Sequence, residues 1–419
     1  MLDIKFIRQN PEKVKKEVKK KGVIIDIDEI LSLDKRRRKL QLKIDGIRAQ
    51  KNKVSKEITK LRDEEKKEIL EKMKKLDVKE EFLEKEFKET EKKLREKMAK
   101  VPNLPLDEVP VGKDERDNVV LREVGKIPEF DFEIKDHLEI GENLDIIDTK
   151  RAAKISGTRF GFLKREAVLL EFALVNFALE TLMKENFIPV IPPVLIREKP
   201  FWGMGYLERG AEEVYFIPKD NLYLIGTAEQ IIGPMHMNEI FKENDLPKRY
   251  LGFSSCFRRE AGSYGKDTRG IFRVHQFDKV EMFSFCKPED SRKENLFFLK
   301  MEEKLMKALK IPYRVIHICT GDLGDPAAEK FDIETWIPSQ KKYRETHSTS
   351  NCTDYQARRL NIKYRKKNGK VNFVHTVNGT AFAIGRMIIA ILENYQQKDG
   401  SVKIPKVLQK YLSFKEIKR

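Results

Sequence analysis

Cysteine, histidine and tryptophan are scarce in this chain: four, six and two among 419 residues. Cys256, Cys286, Cys319 and Cys352 form no C-x-x-C pair and have no histidine at metal-finger spacing. A disulfide framework and a zinc module are therefore excluded, and the thiols are expected to be reduced and mostly buried, as in a cytoplasmic protein. No apolar run approaches the ~20 residues of a membrane-crossing helix, so no membrane association is expected. Asp3 and Lys5 within MLDIKFIRQNPEK spoil the apolar centre that a signal peptide needs. A G-x-G-x-x-G following a strand is missing, as is G-x-x-x-x-G-K-[ST], which rules out Rossmann and P-loop nucleotide binding.

Charge, by contrast, is abundant. Charged residues make up 37% of the chain, and 85 Lys and Arg against 68 Asp and Glu leave a formal net charge of +17. A surplus of this size fits a polyanionic partner, or solubility alone. Hydrophobic residues amount to 40%, enough to fill the cores of two or three domains.

Two regions follow different rules. From about Asp28 to Val101 there is no proline and one glycine, Gly46. Leu33, Leu40, Ile47, Val54 and Leu61 recur every seventh residue, with Ile44 and Ile58 four places on from Leu40 and Val54. Ile69, Leu76 and Leu83 continue in one register, and Met73, Phe87, Leu94 and Val101 in its companion. Heptads broken near 62–67 predict an antiparallel coiled-coil hairpin, roughly 50 Å long at 1.5 Å rise per residue. Between Asp34 and Lys60, eleven Lys and Arg face three acidic residues, whereas Asp63 to Lys97 carries twelve against thirteen. Such a run is either a solvated face or a track for a phosphate backbone, and its confinement to one helix favours the latter.

Pro102, Pro105, Pro110 and Gly112 then mark a boundary. Domains are accordingly expected at 1–101, with the hairpin over about 28–101, and at 102–419. The second region contains a helical pattern over 164–185, then FIPVIPPVLI, LYLIG, YLGFSSCF, IFRVHQFDKVEMFSF and YRVIHI as strands, and a closing helix over 381–395. Short turns between strands, with helices at either end, predict an α+β fold: an antiparallel sheet flanked by helices.

The chemistry concentrates around CFRREAGSYGKDTRGIFRVHQFDKVE, Cys256 to Glu281. Alternation puts Arg273, Phe277 and Glu281 on one face of a strand and Val274, Val280 and Met282 on the other. Arg258 and Glu260 share a parity on the preceding strand, with Arg259 between them. A guanidinium fork clamps phosphate, a phenyl ring stacks on a base, and a buried Glu281 calls for a cationic partner such as a substrate ammonium. Gly262, Gly265 and Gly270, with Lys266 and Arg269 among them, predict a mobile basic flap. The bland alternative is a surface hairpin with weak salt bridges. Elsewhere, Glu345 with Ser348 offers oxygen ligands for Mg²⁺ on a polyphosphate. In HTVNGTAFAIGR, Asn378-Gly379 is expected to turn and Thr380 to enter a helix, which Arg386 then interrupts. Thr227 and Glu229 of GTAEQ follow a strand. Such a cleft acts by positioning and charge stabilisation, with no side-chain nucleophile.

FRREAGSYGKDTRGIFRVHQFDKVE followed by NGTAFAIGR closely resembles the seryl-tRNA synthetases, class II aminoacyl-tRNA synthetases of bacterial type. The resemblance continues through PNLP, AAKISGTRFGFL, GTAEQ, SNCTDYQARR and ENYQ, so nearly the whole chain is covered. It implies the class II fold, a six-to-seven-stranded antiparallel sheet, behind an N-terminal coiled-coil arm that binds tRNA. It also implies a homodimer joined around residues 187–196. The implied activity is formation of seryl-adenylate from L-serine and ATP with Mg²⁺, then transfer of serine to the 3′ end of tRNA(Ser), with tRNA(Sec) as a further candidate acceptor.

By the same resemblance, Thr227, Ala228 and Glu229 contribute to the serine site, Arg258 bridges the serine carboxylate and the α-phosphate, and Arg259 and Glu260 lie on ATP. Phe277 stacks on adenine, Glu281 holds the serine ammonium, and Asn378 and Thr380 line the serine pocket. Glu345 and Ser348 hold Mg²⁺ next to ATP, and Arg386 takes the γ-phosphate, so that Arg258, Glu260 and Arg386 are the catalytic set. Thr346 and His347 lie within this ATP segment but depart from the family's small apolar residue and serine, and His347 is expected to face solvent. A zinc-dependent form of the enzyme does not fit the Cys and His spacing, so no zinc is expected.

Overall fold

The computed structural model describes residues 1–57, 62–261, 267 and 269–419. Ile58 and Leu61 of the heptad series, and Gly262, Gly265 and Lys266 of the basic flap, lie outside the described residues. The chain divides into two compact units, residues 1–19 with 23–102, and residues 20–22 with 103–419.

The first unit is dominated by two long helices, α1 (Ile27–Glu57) and α2 (Asp63–Ala99). Leu40, Ile44 and Ile47 of α1 pack with Leu83 of α2, flanked by Leu76 and Phe87, so the heptad positions form the seam. Charge reinforces it. Arg48 pairs with Glu80 and Glu84, and Lys51 with Asp77 and Glu80, across the two helices. The basic run 35–39 is partly engaged internally: Arg36 meets Glu86 at 2.5 Å, while Arg37 and Arg38 join Arg8 around the fully buried Asp34. Part of the positive surplus on α1 thus holds the unit together.

In the second unit, eight strands among the described residues form one sheet. In chain order they are β1 (Val119–Val124), β2 (Phe187–Val190), β3 (Lys248–Phe257), β4 (Gln276–Cys286), β5 (Tyr313–His317), β6 (Glu329–Ile337), β7 (Lys342–Thr353) and β8 (His375–Ala383). Their spatial order is β1-β5-β6-β7-β8-β4-β3-β2. All neighbours are antiparallel except β2 beside β3, so the sheet has one strand more than the upper family expectation and one parallel pair.

Helices α3 (Glu166–Met183), α4 (Ser291–Leu309) and α5 (Ile384–Asn394) cover one face of the sheet. That face contributes Val280 and Met282 of β4, Ile333 of β6 and Val377 of β8 to the main core, where Phe298, Leu305, Ile388 and Leu392 of the helices meet them. At roughly 25 cal/mol per Å² of apolar surface removed from water, each such residue contributes about 1.5–3 kcal/mol. No helix of the described residues is long and apolar enough to cross a membrane. All four cysteines are buried and unpaired.

Four local expectations fail. β3 ends at Phe257, so Arg258, Arg259 and Glu260 lie beyond it and share no strand face. Residues 271–275 precede β4 and are not part of it. Asn378, Gly379 and Thr380 lie inside β8, not in a turn and a helix entry, and the closing helix begins only at Ile384. The glycine of Asn378-Gly379 answers a packing demand. A β-carbon there would stand 3.0 Å from Glu302 Oε1 and 3.1 Å from both Phe298 Cδ2 and Thr349 Oγ1.

Candidate active site

The face of the sheet away from α3–α5 bears a cavity of about 630 Å³. Alternation along β4 sends Val280 and Met282 to the core and turns Lys279 and Glu281 into this cavity. The same rule on β8 brings in Asn378 and Thr380. Thr227 and Glu229 arrive from the segment after Leu222–Leu224, where a short helix, Glu229–Ile232, starts. Gly252 of β3 makes room for that helix: a β-carbon there would lie 2.9 Å from Ala228 Cβ and 2.5 Å from Ile232 Cδ1. Ala228 is fully buried in the packing that supports the cavity wall and does not point into it.

Carboxylates dominate this end of the cavity. Glu281 is 2% exposed and is paired with Lys279. Thr380 Oγ1 donates to Glu281 Oε2 at 3.4 Å. Burial, reinforced by the neighbouring Glu281, pushes the Glu229 carboxyl up to about 7, and the Tyr206 hydroxyl donates a hydrogen bond to it. Thr227 Oγ1 is buried with no hydrogen-bond partner, a donor and acceptor aimed at a polar guest. Tyr206 and Lys279 were missed by sequence reasoning. Lys279 shares its parity with Glu281 and was readable from it, but Tyr206 reaches Glu229 across 23 residues without a local signal.

Towards the other end lies a narrower recess of about 70 Å³ that shares Arg258, Glu260, Lys279, Glu345 and Thr380 with the main cavity and adds Phe277 and Arg386. The Arg258 guanidinium stands 5.3 Å from the Phe277 ring centroid and donates from Nε to the Gly226 carbonyl at 3.2 Å. Glu260, in left-handed backbone at φ 52°, is paired with Arg273 at 2.7 Å. Arg386 donates to the Glu345 carbonyl at 2.8 Å and lies 4.8 Å from the Phe272 centroid. Arg259 bonds through its backbone N–H to the Glu213 carbonyl at the rim.

The cleft walls push the Glu345 carboxyl up, but Arg386, Lys330 and Arg258 outweigh them and hold it at about 2. Ser348 faces Asp332 across β6 and β7, and Asp332 Oδ1 is buried without a partner although Lys330 pairs with Oδ2 at 3.1 Å. An ionised carboxylate, a hydroxyl and an outer carboxylate are an all-oxygen donor set, which suits a hard cation completed by phosphate oxygens. No group of three or more His, Cys, Asp or Glu side chains suited to a metal occurs among the described residues.

Thr346 forms part of the recess wall, whereas His347 departs from the solvent-facing expectation. It is 1% exposed, its ring lies edge-on to Phe382 with centroids 5.8 Å apart, and burial lowers its pKa to about 3.

Comparison with known proteins is consistent across sequence and structure. A family model for the seryl-tRNA synthetase N-terminal domain matches residues 1–105, and one for the tRNA synthetase class II core domain (G, H, P, S and T) matches residues 215–395. Over 422 aligned residues the chain is 48% identical to the serine–tRNA ligase of Dictyoglomus turgidum, with 100% of this chain and 99% of that one covered. The crystal structure of seryl-tRNA synthetase from Pyrococcus horikoshii complexed with ATP superimposes with a TM-score of 0.94 at 45% identity, covering 100% of this chain and 99% of that one. The cytoplasmic serine–tRNA ligase of Naegleria fowleri, in complex with AMP, gives 0.86 at 34% identity, covering 98% and 96%.

Proposed function

Because the chain belongs to the seryl-tRNA synthetases, we propose the following division of labour within its cleft. The protein is a serine–tRNA ligase. L-serine and ATP react first: a serine carboxylate oxygen attacks the α-phosphorus, the bond to the β-phosphate oxygen breaks, and seryl-adenylate forms as pyrophosphate leaves. A 3′-terminal hydroxyl of tRNA(Ser) then attacks the serine carbonyl carbon, and AMP departs.

The observation that carries the assignment is the joining of two chemically distinct ends at Arg258. At one end Glu281 takes the serine ammonium, while Thr227, Glu229, Asn378 and Thr380 surround a compact polar side chain. A site that hydrogen-bonds the serine hydroxyl rejects analogues lacking it, because its own buried groups would go unpaired. At the other end Phe277 takes the adenine ring and Arg386 the γ-phosphate, with Arg259 and Glu260 alongside ATP. Arg258 sits between them, where one guanidinium spans the serine carboxylate and the α-phosphate and neutralises charge developing between the two. Glu345 and Ser348 would hold Mg²⁺, which when bound neutralises the polyphosphate.

Residues 1–101 form the tRNA-binding domain in this reading and residues 102–419 the catalytic domain. The net positive charge of α1 supports contact with the tRNA backbone. A homodimer is supported by apolar side chains left exposed on α3, β2 and the loop that follows, namely Leu169, Phe172, Ile188 and Ile191. The cytoplasm is the compartment proposed for this translation enzyme.

The decisive assay is ATP–pyrophosphate exchange across the common amino acids, without tRNA. Exchange with serine alone supports the reading. Absence of exchange with any amino acid, from folded protein with Mg²⁺ present, would refute it.

A further inference from the structure

Ser348 lies three positions after Glu345, an odd spacing that a regular strand would direct to opposite faces of the sheet. Both nevertheless line the cavity. The register between β6 and β7 explains this: Ile333 is opposite His347 and Glu334 is opposite Glu345, leaving Thr346 as an extra residue. This is a β-bulge, and it resets the alternation. Thr346 and His347 both turn inward, 2% and 1% exposed, while Glu345 and Ser348 remain at the cavity. On β8 a second register shift does the same: Val280 pairs with Phe382 and Glu281 with Thr380, leaving Ala381 as the extra residue.

Hydrogen bonds hold the first bulge closed. Thr346 Oγ1 contacts the Ile333 carbonyl at 3.3 Å, Thr335 Oγ1 at 2.6 Å and His347 Nδ1 at 2.8 Å. The hydroxyl has a single proton. All three contacts are satisfied together only if that proton goes to the Ile333 carbonyl, while the Thr335 hydroxyl and His347 Nδ1–H both donate to Thr346. Thr335 is completely buried, so no water competes for these positions. The same His347 ring packs on Phe382, the residue immediately after the β8 bulge. Thr346 and His347 lie within the segment assigned to ATP, yet their polar atoms face the interior.

We propose that Thr335, Thr346 and His347 form a positioning lock that clamps the β7 bulge, and so sets Glu345 and Ser348 on one face to receive Mg²⁺ with ATP. The inference rests on the metal role given above to Glu345 and Ser348. Outer partners that orient metal-binding groups commonly alter metal affinity by ~10–100-fold when removed.

The test is direct binding of Mn²⁺, followed by electron paramagnetic resonance, to the full-length protein saturated with a non-hydrolysable ATP analogue. Thr346→Val removes the hydroxyl at nearly constant shape, Thr346→Ser restores it, and Glu345→Gln removes the ligand itself. The expected result is roughly tenfold weaker Mn²⁺ binding in Thr346→Val and His347→Phe, with near wild-type binding in Thr346→Ser. The KM for serine stays within about twofold, because the serine end of the cavity is untouched. Wild-type Mn²⁺ affinity in folded Thr346→Val, with weakened binding in Glu345→Gln, would overturn the lock and leave the metal site standing. Equal binding by wild type and Glu345→Gln would remove the metal role and the lock together. If Thr346→Val does not fold, Thr335→Val and His347→Phe carry the same comparison, and wild-type affinity in both would equally overturn the lock.

Discussion

The ammonium of Lys279 rests against the carboxylate of Glu281, two residues along the same face of β4 and both nearly out of contact with water. A buried carboxylate needs a cation, and here the protein supplies its own. On the proposed reading, the serine ammonium joins a pair already formed, with Thr380 as the third member. Glu281→Gln is expected to raise the KM for serine by ~100-fold or more, the order found when one partner of a buried charged hydrogen bond is lost (about 2–5 kcal/mol). ATP affinity should stay near wild type. Pyrophosphate exchange at varied serine and ATP measures both, and an unchanged KM for serine would contradict the ammonium role.

Gly252 lies opposite Glu281 in the β3–β4 register and beneath the short helix that begins with Glu229. Gly252→Ala would set its new β-carbon 2.9 Å from Ala228 Cβ, closer than packed carbons tolerate. Overpacking of this kind costs about 1–3 kcal/mol. The helix must move, carrying Glu229 with it. The expected outcome is a lower melting temperature accompanied by weaker serine binding, while Gly46→Ala, which has open space around it, should change neither by much.

What could be read from the sequence follows the range of the physics involved. The coiled-coil seam is legible because its period repeats over many residues, and Leu40, Ile44, Ile47 and Leu83 bury as the heptads require. Glu281 is legible because alternation on one strand is a local rule. Asn378-Gly379 misleads: side chains from α4 and β7 close over Gly379, and nothing near it in sequence reveals them. The Thr346 bulge is silent for a similar reason, since one extra residue shows only against the facing strand. The five basic residues at 35–39 are plain to read, as are the i,i+3 and i,i+4 pairs of Arg37 and Arg38 with Asp34, but the pairing of Arg36 with Glu86 depends on the folded unit.

The arm offers a separation of functions. Arg36, Arg48 and Lys51 are engaged with carboxylates of α2, so on the proposed tRNA-binding role the contacting charge comes from the remaining surplus on α1. Excision of residues 28–101, with a short Gly-Ser linker closing the gap, should leave serine-dependent pyrophosphate exchange close to wild type and abolish aminoacylation of tRNA(Ser). Loss of both activities together would mean that the arm supports the catalytic unit, and the division of labour would be wrong.

Next to the recess, Glu171 of α3 and Asp278 of β4 bring two carboxyls together at a cavity of about 340 Å³ that shares Ile271, Val274, Phe277 and Gly385 with it. Burial, then the charge of Asp278, pushes the Glu171 carboxyl up to about 8. Ser255 donates to Asp278 Oδ1 at 2.5 Å. A carboxyl whose pKa is higher folded than unfolded binds more protons in the native state between those two values. Its contribution is therefore complete below about pH 4.5 and is lost as pH rises towards about 8. The full effect is on the order of 5 kcal/mol for a shift of this size, reduced by whatever solvent reaches the pair. Glu171→Gln keeps a donor towards Asp278 without an ionisable group. Melting temperatures from pH 5 to 9 should decline less steeply in Glu171→Gln than in wild type, and the variant should be the more stable protein at the alkaline end. Parallel curves would mean that Glu171 ionises alike in the folded and unfolded chains.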